Sequence, residues 1–140
     1  MKILRLLGTL WLVIVAASVN AACQYAAEFH NSHNGKSYDF RITHEQLAKS
    51  PRWSEDAPNP PLSARQAKAA AILCLKGLFD DADQWRLENI SLTPISETWM
   101  YTVAFTEPPP TDCKDCPSFP FTVPVIMDGV AVTPTVSPQR

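Results

Sequence analysis

The sequence predicts an α+β domain in which one main helix packs on an antiparallel sheet, after a cleaved signal peptide. Three observations lead to this class. Apolar and polar residues alternate near the N-terminus and again in the last third, as they do in strands. One alanine-rich segment between them has helical spacing and a capping signal. Without residues 1–21 the chain comprises residues 22–140, a length that suits a single domain.

The N-terminus has the pattern of a secretory signal. Lys2 and Arg5 precede an apolar run over 6–19, which is shorter than a bilayer span and leads into small residues. We expect cleavage after Ala21, or alternatively after Ala22. The sequence therefore predicts a secreted or periplasmic protein with no stable membrane span after cleavage.

Two alternatives to a cleaved signal stay open. An uncleaved segment would act as an anchor, and a lipoprotein would be acylated at Cys23. A bacterial lipobox has an aliphatic residue three positions before its cysteine, where this chain has Asn20. That difference favours cleavage over lipidation.

The first predicted element is a β-hairpin over 24–43. Apolar and polar residues alternate over 38–43. Asn34-Gly35 precedes them and suits a type I′ turn, because both residues tolerate positive φ. We expect the partner strand at 24–29 and a helical turn at 44–49.

The main helix follows a proline-rich connector over 50–61. Ser63 is the expected N-cap, with Gln66 three residues later as its partner in a capping box. The helix is expected to end near Phe79. Its apolar face would consist of small and medium side chains, namely Ala67, Ala70, Ala71, Cys74, Leu75 and Leu78.

The last third predicts a meander. Pro94 indicates that its first strand is bulged or at an edge, and Pro124 should direct its missing N–H to an open side. Asp128-Gly129 predicts a second type I′ turn. The loop over 107–120 carries two cysteines among prolines. The strands are expected over 87–95, 99–106, 121–127 and 130–133.

The block 62–132 resembles the PepSY type of exported bacterial module. The segments that carry the resemblance are the helix start LSARQAKAAAI and the three strands WRLENISL, WMYTVAF and FTVPVIMDGVAV. The sequence departs from the family in its MDG turn and its cysteine-bearing loop. The resemblance implies a non-enzymatic module that restrains or regulates partners such as secreted peptidases, and it implies no catalytic residues.

The four cysteines are disulfide candidates, because an exported chain meets oxidising conditions. Cys23, Cys74, Cys113 and Cys116 allow three connectivities. The favoured one closes the CKDC segment on itself and joins Cys23 to Cys74. An alternative function is thiol–disulfide exchange by the CKDC pair, although the neighbouring acids would raise the pKa of its thiols.

The three histidines form a second candidate site. His30, His33 and His44 flank the predicted hairpin, and imidazoles on adjacent strands are suitable ligands for zinc or copper. The simpler interpretation is that they are exposed histidines near a turn. On that interpretation the protein needs no cofactor.

The aromatic residues predict a binding surface. Trp53, Trp85, Trp99 and Phe119 would anchor a protein or glycan partner if they line an outer face. The mature chain has a formal charge of −4, since the signal removes two of 12 cations and none of 14 acids, and this argues against nucleic acid. The motifs GxSxG, HExxH and SxxK do not occur. We therefore expect a binding or regulatory module that performs no chemistry.

Overall fold

The computed structural model describes residues 24–109, 112–113 and 118–139. It confirms the α+β class, with one main helix and two antiparallel sheets. The predicted signal and Cys23 lie outside the described residues. The elements are β1 (Tyr25–His33), β2 (Lys36–Thr43), α1 (His44–Lys49), α2 (Ala64–Leu78), β3 (Arg86–Ile95), β4 (Thr98–Thr106), β5 (Phe121–Ile126) and β6 (Thr135–Pro138).

The first sheet has the order β1-β2-β6. Its hairpin turns at Asn34 and Gly35, with φ angles of 48° and 69°, as the predicted type I′ turn requires. β1 extends to His33, which is further than the sequence indicated. Inward-facing residues of β2, among them Phe40 and Ile42, are fully buried.

Both helices begin with a capping box. Thr43 and Gln46 cap α1, while Ser63 and Gln66 cap α2 as predicted. α2 ends at Leu78, and Phe79 is its C-cap. The predicted face of α2 packs on β4 and β5, and the small side chains of Ala67 and Ala71 let the helix lie close to the sheet.

The second sheet has the order β3-β4-β5. β3 is an edge strand and has a bulge between Leu87 and Asn89, so both predicted features are present, although the bulge is not at Pro94. β4 is central and mostly buried, as its alternation indicated. Its Tyr101 hydroxyl donates to the Leu62 carbonyl at 2.9 Å, which ties β4 to the start of α2.

The strands form two sheets where the sequence predicted one, because β1 and β2 form no ladder with β3, β4 or β5. The chain after β5 also changes sheets. Gly129 alone has a positive φ in the turn (86°), so the turn is a three-residue loop with a glycine bulge rather than type I′. The expected strand at 130–133 is reduced to one bridge between Val125 and Ala131. β6 then pairs with β2 in the first sheet.

A side chain joins the two sheets. The Asn31 amide on β1 donates to the Thr122 carbonyl at 3.0 Å and accepts from the Thr122 N–H at 2.8 Å. The amide thus occupies the place that a neighbouring strand would take beside β5. In the part of the chain that the structure describes, no helix has the length and apolar character to cross a membrane.

Candidate functional site

A cavity of about 340 Å³ lies between α1 and the turn that connects β3 to β4. We call it the α1 cavity. The hairpin turn supplies one wall, and α1 with the start of the proline-rich connector supplies the other. The lining residues are His44, Leu47, Ala48, Arg52, Ser96, Glu97 and Thr98.

Local structure positions both walls. The capping box of α1 sets His44 at its first position, and Leu47 turns inward to the core. Ile95 pairs with Thr98, so Ser96 and Glu97 form a two-residue hairpin turn. Ser96 has a φ of 51°, which costs a non-glycine residue some backbone strain. Such strain often occurs at binding sites.

Thr98 gives the α1 cavity its most unusual feature. The residue is 8% exposed, and its hydroxyl is buried with no hydrogen-bond partner among the residues described. Two further buried polar atoms in the same region, Ser50 Oγ and Trp53 Nε1, also have none within the described ranges. A buried polar group without a partner costs about 1–3 kcal/mol. Of these three residues, Thr98 is the one that lines the α1 cavity.

Two of the predicted binding residues meet beside the α1 cavity. The rings of Trp53 and Trp99 lie edge-to-face with centroids 5.4 Å apart, and both residues are half-buried. They follow Arg52 and Thr98 directly in sequence, so this contact holds the two cavity walls together. Trp53 and Trp99 therefore belong to the edge of the candidate site.

Two opposite charges line the α1 cavity on different walls. Arg52 Nη1 lies 4.0 Å from Glu97 Oε2, and the two side chains are 71% and 89% exposed. An exposed pair at this distance contributes little to stability. Both groups are thus available to a ligand at small cost.

The other two aromatic candidates lie elsewhere. Trp85 is 8% exposed and stacks on Phe79 at 4.8 Å, so it belongs to the core and its prediction as a surface anchor is wrong. The sequence alternation around Trp85 did not reveal that the helix end would cover it. Phe119 is 82% exposed, as a surface anchor must be, but it lies in a separate small cavity beside His33.

The histidines do not come together as a metal site. His30 Nδ1 lies 2.7 Å from Asp39 Oδ1, and this hydrogen bond is the main reason that the pKa of Asp39 lies below its usual range. His33 packs on aromatic rings with Nδ1 3.5 Å from Glu107, whereas His44 lies at the α1 cavity. Throughout the described ranges, no three histidine, cysteine, aspartate or glutamate side chains are grouped to hold a metal ion.

The predicted bond between Cys23 and Cys74 is not formed, because Cys74 is a free thiol. Burial raises the pKa of Cys74, and its Sγ donates to the Val132 carbonyl at 3.7 Å. Cys113 takes part in a disulfide. Cys116 lies outside the described residues, so the closed CKDC pair and its redox alternative stay predictions.

Comparison with known proteins assigns no relative to this fold or site. The chain matches no protein-family model, no curated protein and no solved structure. The α1 cavity must therefore be interpreted from its own chemistry. Sequence reasoning identified Trp53, Trp99 and His44, but missed Arg52 and Thr98. The available signal for Arg52 was its position directly before Trp53 in the connector.

Proposed function

We propose that the protein is a non-enzymatic binding domain that acts outside the cytoplasm and holds a small polar ligand in the α1 cavity. The observation that carries this proposal is the Thr98 hydroxyl, which is buried in the cavity wall and pairs with no other described residue. A ligand that accepts or donates there would remove the cost of burying it. The cavity volume also falls within the range of small-molecule sites.

Export and regulation belong to the same proposal. The charged start, apolar run and small residues of the N-terminus support export. The resemblance to PepSY modules supports a regulatory role, and the order of α2, β3, β4 and β5 agrees with the plan of that family. Mass mapping of the native protein without reduction tests export, because it gives the cleavage site, any lipid on Cys23 and the cysteine pairing. A native chain that still begins at Met1 would contradict a cleaved signal.

Thr98→Val tests the binding site. Valine has nearly the same shape and suits a strand, so it removes the hydroxyl without opening a cavity. We expect the empty protein to become more stable by about 1 kcal/mol, since an unpartnered buried hydroxyl disappears. We also expect ligand affinity to fall about tenfold, since one hydrogen bond is lost. A gain in stability together with a loss of ligand affinity would show that the Thr98 hydroxyl serves binding rather than the fold.

The measurements are urea unfolding and two-dimensional amide NMR with a set of polar fragments as probes. Thr93→Val is the matched control, because the Thr93 hydroxyl has a partner, Thr102 Oγ1, at 3.3 Å. The control should lose stability and keep the probe-induced shifts at Leu47 and Thr98. If Thr98→Val is destabilising and no probe shifts the cavity amides, the proposed function is wrong. Chemical turnover of a bound probe would contradict a non-enzymatic role.

A further inference from the structure

The chemistry of the α1 cavity suits a ligand that both donates and accepts hydrogen bonds. The Arg52 guanidinium only donates, and the Glu97 carboxylate only accepts. The hydroxyls of Ser96 and Thr98 do both. A ligand that carries both donors and acceptors can therefore pair with all four groups.

The charges of the cavity favour a neutral ligand. Arg52 and Glu97 lie 4.0 Å apart, so their charges largely cancel where a ligand would meet them. An anion attracted by Arg52 would lie close to the Glu97 carboxylate, and a cation attracted by Glu97 would lie close to the guanidinium. The remaining lining residues carry no charge when His44 is neutral. Neither class of ion therefore gains a clear advantage.

The cavity also offers apolar surface. Leu47 and Ala48 line the α1 wall, and the Trp53–Trp99 pair lies at the adjoining edge. An aromatic ring buries apolar C–H groups well, while its indole N–H supplies a polar contact. Trp53 Nε1 is buried and pairs with nothing in the described part of the chain. The ligand should therefore combine C–H faces with polar groups at its edge.

We propose that the α1 cavity binds a neutral saccharide ring. A pyranose has hydroxyls that donate and accept around its edge, C–H groups on its faces and no charge. In this arrangement Arg52 and Glu97 bind hydroxyls from opposite walls, and Thr98 binds one from the same wall as Glu97. This inference rests on the proposed function and specifies the class of its ligand.

The test compares three classes of probe on the purified protein by amide NMR. The neutral class consists of methyl glycosides of glucose, galactose, mannose and N-acetylglucosamine, with their disaccharides. Acetate and inorganic phosphate form the anionic class, and tetramethylammonium is the cation. We expect saturable shifts at Leu47 and Thr98 with at least one neutral glycoside. Arg52→Ala and Glu97→Ala should each weaken that binding about tenfold.

Arg41→Ala is the matched control, since Arg41 forms an exposed pair with Glu28 on the first sheet and should leave glycoside binding unchanged. Binding of anions alone, strengthened by Glu97→Ala, would overturn the saccharide inference but keep the proposed function. Binding of the cation alone, strengthened by Arg52→Ala, would do the same. If no class shifts the cavity amides and Thr98→Val is destabilising, both the inference and the proposed function are overturned.

Discussion

Cys74 contributes to stability through a hydrogen bond that a proline makes necessary. Beside β5, the Val132 N–H donates to the Pro124 carbonyl at 3.0 Å. In a regular antiparallel pair the N–H of residue 124 would donate back to the Val132 carbonyl. Proline has no N–H, so this carbonyl lacks its backbone donor. The Cys74 thiol, 3.7 Å away on α2, takes that role.

Cys74→Ala should therefore leave a carbonyl on a buried residue without its donor. Val132 is buried, so we expect the free energy of unfolding to fall by about 1–2 kcal/mol. Part of that loss is the packing of the sulfur atom. The contribution of the hydrogen bond must be separated from the packing by a second substitution.

Pro124→Ala provides that separation, because alanine restores the missing N–H opposite Val132. In this background Cys74→Ala should cost about 1 kcal/mol less than in the natural chain, since the carbonyl keeps a donor. The loss of sulfur packing is common to both backgrounds and cancels in the double-mutant cycle. Pro124→Ala alone also raises the conformational entropy of the unfolded chain, and that effect cancels in the cycle as well.

Urea unfolding of the four proteins measures the coupling. Pro94→Ala is the matched control, because Pro94 is exposed on β3, and β4 separates β3 from β5. Cys74→Ala should cost the same with and without Pro94. A coupling between Cys74 and Pro124 below about 0.5 kcal/mol would refute the reasoning, because it would equal the error of additivity.

Two further predictions concern polar contacts of the first sheet. Asn31→Ala should lower the free energy of unfolding by about 2 kcal/mol or more in urea, because both backbone groups of Thr122 lose their partners; a loss under about 0.5 kcal/mol would contradict its role between the sheets. Asp39 should titrate below its usual pKa in carboxyl NMR, and His30→Ala should raise that pKa whereas His44→Ala should not. Because the folded pKa is lowered, the stability from Asp39 is present above its unfolded pKa and lost as the pH falls through the folded one; an unchanged pKa in His30→Ala would contradict the cause.

Local sequence signals predicted the individual elements well. The turn at Asn34-Gly35 and the capping box of Ser63 and Gln66 each depend on residues within four positions of one another. Such signals depend on neighbouring residues rather than on tertiary contacts, so they can be recognised in the sequence. The edge position of β3 was likewise indicated by Pro94, although the bulge of that strand lies elsewhere, between Leu87 and Asn89.

The pairing of strands across long distances was not predictable in the same way. The turn signal at Asp128-Gly129 predicted that 130–133 would pair with the strand before it, and no signal after it indicated β6 or its pairing with β2. The Pro124 position has no N–H for a ladder with 130–133, and the chain instead continues to β2, about a hundred residues earlier. The Asn31 contact with Thr122 likewise joins residues that no local pattern connects.

The α1 cavity shows the same limit for function. Its walls come from 44–52 and 96–98, and only folding brings these segments together. The alternation of β4 predicted a strand from residue 99, so it gave no signal for Thr98, which is the first residue of β4 in the structure. Valine would suit a buried strand position equally well and would leave no hydroxyl to satisfy. Stability alone therefore does not account for the threonine at this position, and the Thr98→Val comparison tests whether a proposed ligand does.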